Sequence, residues 1–274
     1  MMNKRIVRTT VLGLTLVTVF GMNAAEGVEN SSGKYVLAAE NVTRETATKS
    51  DADKIYGVGS VSKIYVTTAV MQLVEQGKVD LDAPVTDYID DFKMVDDRYK
   101  NITVRMLMNH TSGIAGTSAK NIFLYGDNDF VANESVLKNL EGQRLKADPG
   151  EYASYCNDGF ELLEIIVERV SGISYTDYVE KNIADKIDAD NIYTAENVFD
   201  NPALVDIFPD GHNRYETEYC MDYGSGGIYS TALDTCEFGS TFFKGDNRLL
   251  SEGSKNEMAT LRIIMRRFSI TDRL

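Results

Sequence analysis

The stretch "SVSKIYVTTAVMQLVEQG", residues 60–77, sets the strongest constraint on the fold. Ile64, Val66, Ala69, Val70, Leu73 and Val74 recur at helical spacing, and Gly77 ends the run. The helix is long and cleanly apolar, it starts at or beside Ser60, and it holds its first turn rigidly. At 274 residues and 43% hydrophobic composition, the chain can bury one substantial core around it. One folded unit is expected over residues 26–274.

Residues 1–25 read differently. Lys4, Arg5 and Arg8 precede an apolar run at 11–20, and Asn23, Ala24 and Ala25 follow it. That is the pattern of a secretory signal peptide, so a secreted or extracytoplasmic location is expected, with membrane attachment only if the segment is retained. Without it, 25 basic side chains face 42 acidic ones, a net charge near −17. Such a surface repels nucleic acid and favours solubility.

Cys156, Cys220 and Cys236 give an odd count; a Cys220 to Cys236 bridge and isolated thiols both fit. There are two histidines and no His-Glu-x-x-His or paired Cys-x-x-Cys pattern, so neither metal nor cofactor is expected.

Residues 26–55 are polar, with one strand-like piece at 34–39. A short helix is expected at 103–108, a long one at about 158–170 with its cap at Ser171 and Gly172, and a third from Thr176. Turn residues dominate from Asp206, most densely at Gly224-Ser225-Gly226-Gly227, which reads as a tight backbone bend near a cleft and lacks phosphate-loop spacing. The last 14 residues, 261–274, carry four arginines and one aspartate, a net +3 in an acidic chain.

The chemistry centres on Ser60 and Lys63. A serine in a first helical turn lies among unpaired backbone N–H groups, and a lysine three positions on shares its face. As the neutral amine, that lysine can take the hydroxyl proton. Ser-x-x-Lys also occurs at Ser31 to Lys34 and at Ser135 to Lys138, but without the Gly57-Val-Gly59 approach and without the long apolar helix behind it.

Tyr155 and Asn157 follow Pro149-Gly150 and precede a helix. Read as an extended turn, they point the same way: Tyr155 passes a proton to a leaving group, and Asn157 holds a substrate amide or the lysine. Tyr99-Lys100-Asn101 repeats the tripeptide by chance. His110 and His212 read as structural, because no Gly-x-Ser-x-Gly elbow accompanies them.

Four blocks taken together, "GSVSKIYVTTAVMQLVEQGKVDLDAPVTDYI", "ITVRMLMNHTSGI", "PGEYASYCNDGFELLEIIVERVSG" with "SYTDYVEKNI", and "GSGGIYSTALDTCEFG", resemble the class C β-lactamase-like serine hydrolases, which include penicillin-binding DD-peptidases and esterases. The resemblance covers about residues 55–260. It implies an α+β fold in three layers (α/β/α), a mainly antiparallel sheet flanked by helices with a helical lobe beside it, and a site in the cleft between. It also implies roles: Ser60 the acylated nucleophile, Lys63 its proton acceptor, Tyr155 the second acid/base group, and Asn157 the substrate-contacting amide. The substrate is then a small molecule or cell-wall peptide: a D-alanyl peptide, a β-lactam or a small ester.

One family feature is not found. No Lys-Thr-Gly or His-x-Gly motif follows Gly227; Lys244-Gly245-Asp246 comes too early and Gly211-His212-Asn213 precedes the Gly-rich block. Late strands are therefore expected to be missing, the sheet incomplete, the chain truncated and residues 261–274 an atypical ending. Two readings follow: an active exported hydrolase, or a catalytically inactive family member that binds without hydrolysis or is a remnant.

Overall fold

The computed structural model describes residues 53–118, 122–125, 133–205 and 218–260. The expected signal peptide, the strand-like piece at 34–39, Ser31 and Lys34, His212 and the arginine-rich ending all lie outside the described residues.

The apolar run forms helix α1, Ser62–Glu75, preceded by a 3-10 turn, Gly59–Val61. A short helix α2 spans Val104–Met108, α3 spans Asn133–Glu141, and α4 spans Asp158–Ser171. Helices α5, Tyr175–Val179, and α6, Ala195–Val198, follow, then α7, Ala232–Ser240, and α8, Glu252–Ala259. The short helices start where a side chain satisfies a free N–H: Thr103 accepts from Met106, Ser174 from Asp177, Thr231 from Asp234 and Ser251 from Ser254.

Helix α4 is the hub of the helical layer. It packs chiefly on α1, and also on α2, α3 and α5. Ten consecutive residues from Asp158 are buried, including Leu162, Leu163 and Ile166, so three acids (Asp158, Glu161 and Glu164) are drawn inside with the apolar side chains. Gly172 closes the helix in the left-handed conformation, as the sequence predicts.

All described strand pairs are antiparallel. Strands β1 (Tyr56–Gly57), β5 (Ile228–Ser230) and β3 (Ile192–Thr194) form a sheet in the order β1-β5-β3, with Tyr56 opposite Ser230 and Ile192 opposite the same residue from the other side. Strands β2 (Phe123–Tyr125) and β4 (Glu218–Cys220) form a second pair. The α+β class expected from the sequence is thus observed, with every residue of β5 buried between helices and neighbouring strands.

The bend after β4 approaches α4 very closely. A Cβ added at Gly224 would stand 2.3 Å from the Phe160 carbonyl oxygen, which belongs to the backbone and cannot step aside. Gly224→Ala is therefore expected to destabilise the protein by about 1–3 kcal/mol, read as a lower denaturant midpoint at unchanged slope.

The Cys220 to Cys236 bridge does not form. All three cysteines are free: Cys220 sits in β4 with its sulfur facing Gly226, while Cys236 is on the exposed side of α7.

Candidate active site

Ser60 occupies the 3-10 turn at the head of α1. Gly59 enters it at φ +53 with open space around its α-carbon, so backbone conformation rather than crowding calls for glycine there. The turn is tied down on both sides. Ser62 Oγ donates to the Gly59 carbonyl at 2.6 Å and accepts from the Ile228 N–H at 3.0 Å, and the Val58 N–H donates to the Ile228 carbonyl at 2.9 Å. Ser62 thus anchors the turn to β5.

Two side chains converge on Ser60 Oγ. The Tyr155 hydroxyl donates to it at 2.7 Å, and Lys63 Nζ donates to it at 3.4 Å. Lys63 is 3% exposed; its Nζ also donates to the Ser225 carbonyl at 2.7 Å and lies 4.8 Å and 5.3 Å from the ring centres of Tyr155 and Phe160. The Lys63–Ser60 contact is the longer of the two, and a long hydrogen bond in a substrate-free site does not exclude the pair from acid/base work. The Tyr155 and Phe160 rings and the Ser225 carbonyl surround the amine and keep it buried beside Ser60.

Asn157 departs from expectation. It already has helical dihedral angles at the head of α4, so it does not share an extended turn with Tyr155. Its Nδ2 donates to Thr117 Oγ1 at 2.9 Å, and its Oδ1 is buried without a hydrogen-bond partner among the described residues. Lys63 bonds to the Ser60 hydroxyl and the Ser225 carbonyl rather than to Asn157, whose side-chain partner is Thr117.

His110 has a structural place under Tyr155. Its Nδ1 accepts from the Cys156 N–H at 3.1 Å, and its ring lies 4.6 Å from that of Tyr155 and 4.9 Å from that of Phe160. Its φ of 63 is a left-handed value that His, Asn and Asp adopt more readily than bulkier residues. Burial, reinforced by the Lys63 charge, lowers its pKa to about 4.

The unfolded chain takes up the His110 proton near pH ~6.5, before the folded one does. The stability that neutral His110 contributes is therefore complete above that pH and is lost as the pH falls toward 4. Wild type should lose about 1–3 kcal/mol more than His110→Asn between pH 7 and pH 4.5 in urea titrations, since Asn keeps the left-handed backbone without the imidazole.

Behind Lys63 lies a group of acids that reading the motifs alone misses. Asp158, Glu161, Glu164 and Asp222 are all buried. Burial, then Asp158, raises the Asp222 carboxyl to about 6 against the pull of Lys63. Burial, then Glu164 and Asp222, holds the Glu161 carboxyl well above the ordinary range. The signal was present in the sequence: glutamates at i and i+3 within the apolar run of α4 fall on its inward face. Among the described residues no group of three His, Cys, Asp or Glu side chains is placed to hold a metal ion.

The family model named Beta-lactamase matches residues 31–271, and the chain belongs to this family of β-lactamase-fold serine hydrolases. Penicillin-binding protein 4 of Amycolatopsis lactamdurans is 34% identical over 144 residues, 52% of this chain and 37% of that protein. Penicillin-binding protein 4* of Bacillus subtilis (strain 168) is 24% identical over 226 residues, 74% of this chain and 48% of that protein. The chain thus spans less than half of either relative's length.

Among solved structures, the octameric penicillin-binding protein homologue from Pyrococcus abyssi superposes with a TM-score of 0.62 at 26% identity, covering 76% of this chain and 49% of that one. A class C β-lactamase superposes at 0.59 with 18% identity, covering 76% and 55%, which supports the fold alone.

Proposed function

We propose that this chain is an exported serine hydrolase in which Ser60 attacks an acyl donor and forms an acyl-enzyme that water then releases. The observation that carries this reading is the convergence of Tyr155 and Lys63 on Ser60 Oγ at 2.7 Å and 3.4 Å. As Ser60 Oγ bonds to the substrate carbonyl carbon, its proton passes to the Lys63 amine. Tyr155 delivers a proton to the leaving nitrogen or oxygen as that bond breaks, and is reprotonated through Ser60 Oγ's other neighbour, Lys63. Asn157 is the amide assigned to substrate contact, and its Oδ1 has to turn out of its buried position beside Thr117 to accept a substrate N–H. Export is inferred from the pattern of residues 1–25.

The substrate class proposed is a D-alanyl peptide, a β-lactam or a small ester. The penicillin-binding names of the two relatives favour the first two. The test is turnover of a D-alanyl-D-alanine peptide, a chromogenic cephalosporin and a p-nitrophenyl ester by wild type and by Ser60→Ala. Ser60-dependent turnover of any one supports the reading, and equal rates for the two proteins would remove it.

A further inference from the structure

The Ser225 carbonyl that holds Lys63 is itself held from beneath. Glu161 Oε1 accepts from the Ser225 N–H at 2.9 Å, and Glu164 Oε2 accepts from the Gly224 N–H at 2.6 Å. Both glutamates are nearly inaccessible, at 2% and 0% exposure, and both project from the inward face of α4. The bend they grip stands so close to α4 that Gly224 has no room for a side chain.

We infer that Glu161 and Glu164 are positioning residues for Lys63: they clamp two successive N–H groups of the bend, and so fix the carbonyl that keeps Nζ beside Ser60 Oγ. This rests on the proposed reading of Lys63 as the proton acceptor of Ser60.

The chemistry of the pair suits a clamp. Two carboxyls one helical turn apart in a dry interior cannot both ionise cheaply, and a hydrogen bond between them lets one proton serve both. A buried network with its members paired is stiff, because each broken bond leaves a polar group without water to replace the partner. The stiffness passes through Ser225 to Nζ, which also hydrogen-bonds Ser60. Asp222 faces the same region and receives the Gly226 and Gly227 N–H groups on its backbone carbonyl, closing the bend from the other end. A neutral amide at position 161 or 164 would still offer an oxygen to the N–H, whereas a thioether of the same length would not.

The test uses the full chain and a fluorescent penicillin, with the acylation rate constant and the probe's binding constant measured separately. Ser60→Ala is run first, so that the reading of Ser60 is judged by itself. Glu161→Met and Glu164→Met, each shown folded by near-ultraviolet circular dichroism, should acylate about ten- to a hundredfold more slowly at an unchanged binding constant. The corresponding Gln variants should return to within about threefold of wild type. Glu161→Asp, which retracts the acceptor by one methylene and keeps the acid, covers the case in which the Met variants do not fold, and should lose about tenfold.

A folded Met variant or Glu161→Asp acylating at the wild-type rate would overturn the inference, as would Gln variants no better than Met. If wild type carries no Ser60-dependent label, the reading of Ser60 falls and the clamp is decided by the crystal structure of Glu161→Asp. Lys63 Nζ displaced from the Ser225 carbonyl there supports it, and Lys63 still bonded to that carbonyl overturns it.

Discussion

Lys63→Met should slow acylation of Ser60 by a fluorescent penicillin about a thousand- to ten-thousandfold, the largest effect expected of any replacement other than that of Ser60 itself. Methionine fills nearly the same volume between Tyr155 and Phe160, so the core around α1 is conserved. What disappears is the only amine within reach of Ser60 Oγ among the described residues. General-base catalysis commonly contributes about a hundred- to ten-thousandfold, and a serine without a base attacks poorly at neutral pH. Stopped-flow or quenched labelling gives the rate constant directly. The variant should bind the probe with wild-type affinity, because the loss is confined to the proton-transfer step.

Tyr155→Phe comes second, with an expected loss of about a hundred- to a thousandfold for donors that expel an amine. Its hydroxyl is the shortest contact to Ser60 Oγ, and the ring stays seated against His110 when the oxygen is removed. A leaving amine needs a proton, whereas a nitrophenolate does not. The loss should therefore shrink by about tenfold or more when the same variant is assayed on a p-nitrophenyl ester. An equal loss on both donors would move Tyr155 from leaving-group protonation to serine activation.

The helical frame is legible in the sequence because its signals are local. The apolar spacing from Ile64 to Val74 and the run ending at Gly172 each give a helix within a residue or two of its observed bounds. Ser60, Lys63 and Tyr155 are legible too, since a first-turn serine and a lysine one turn later must share a face, and the tyrosine belongs to a block that only the whole resemblance ties to them. Context separates the chance tripeptide at Tyr99: there Lys100 pairs with Asp97 at the surface.

Long-range contacts are not legible. Nothing in "GSGG" says that its Ser225 carbonyl meets a lysine 162 residues earlier, or that glutamates on α4 meet its N–H groups. Asn157 lies in helical rather than extended backbone for a related reason. Its place at the head of α4 turns the amide toward Thr117, and that boundary is set by packing of α4 as much as by its own side chain. Cysteine count alone likewise does not tell a bridge from two thiols facing different ways.

The central claim, that Ser60 is acylated, is tested most directly by intact-mass and peptide mass spectrometry after incubation with benzylpenicillin or a fluorophosphonate. Expected is a single adduct per chain, located on the peptide containing Ser60, present in wild type and lost in Ser60→Ala. An adduct on another residue, or none on folded wild-type protein, would contradict it.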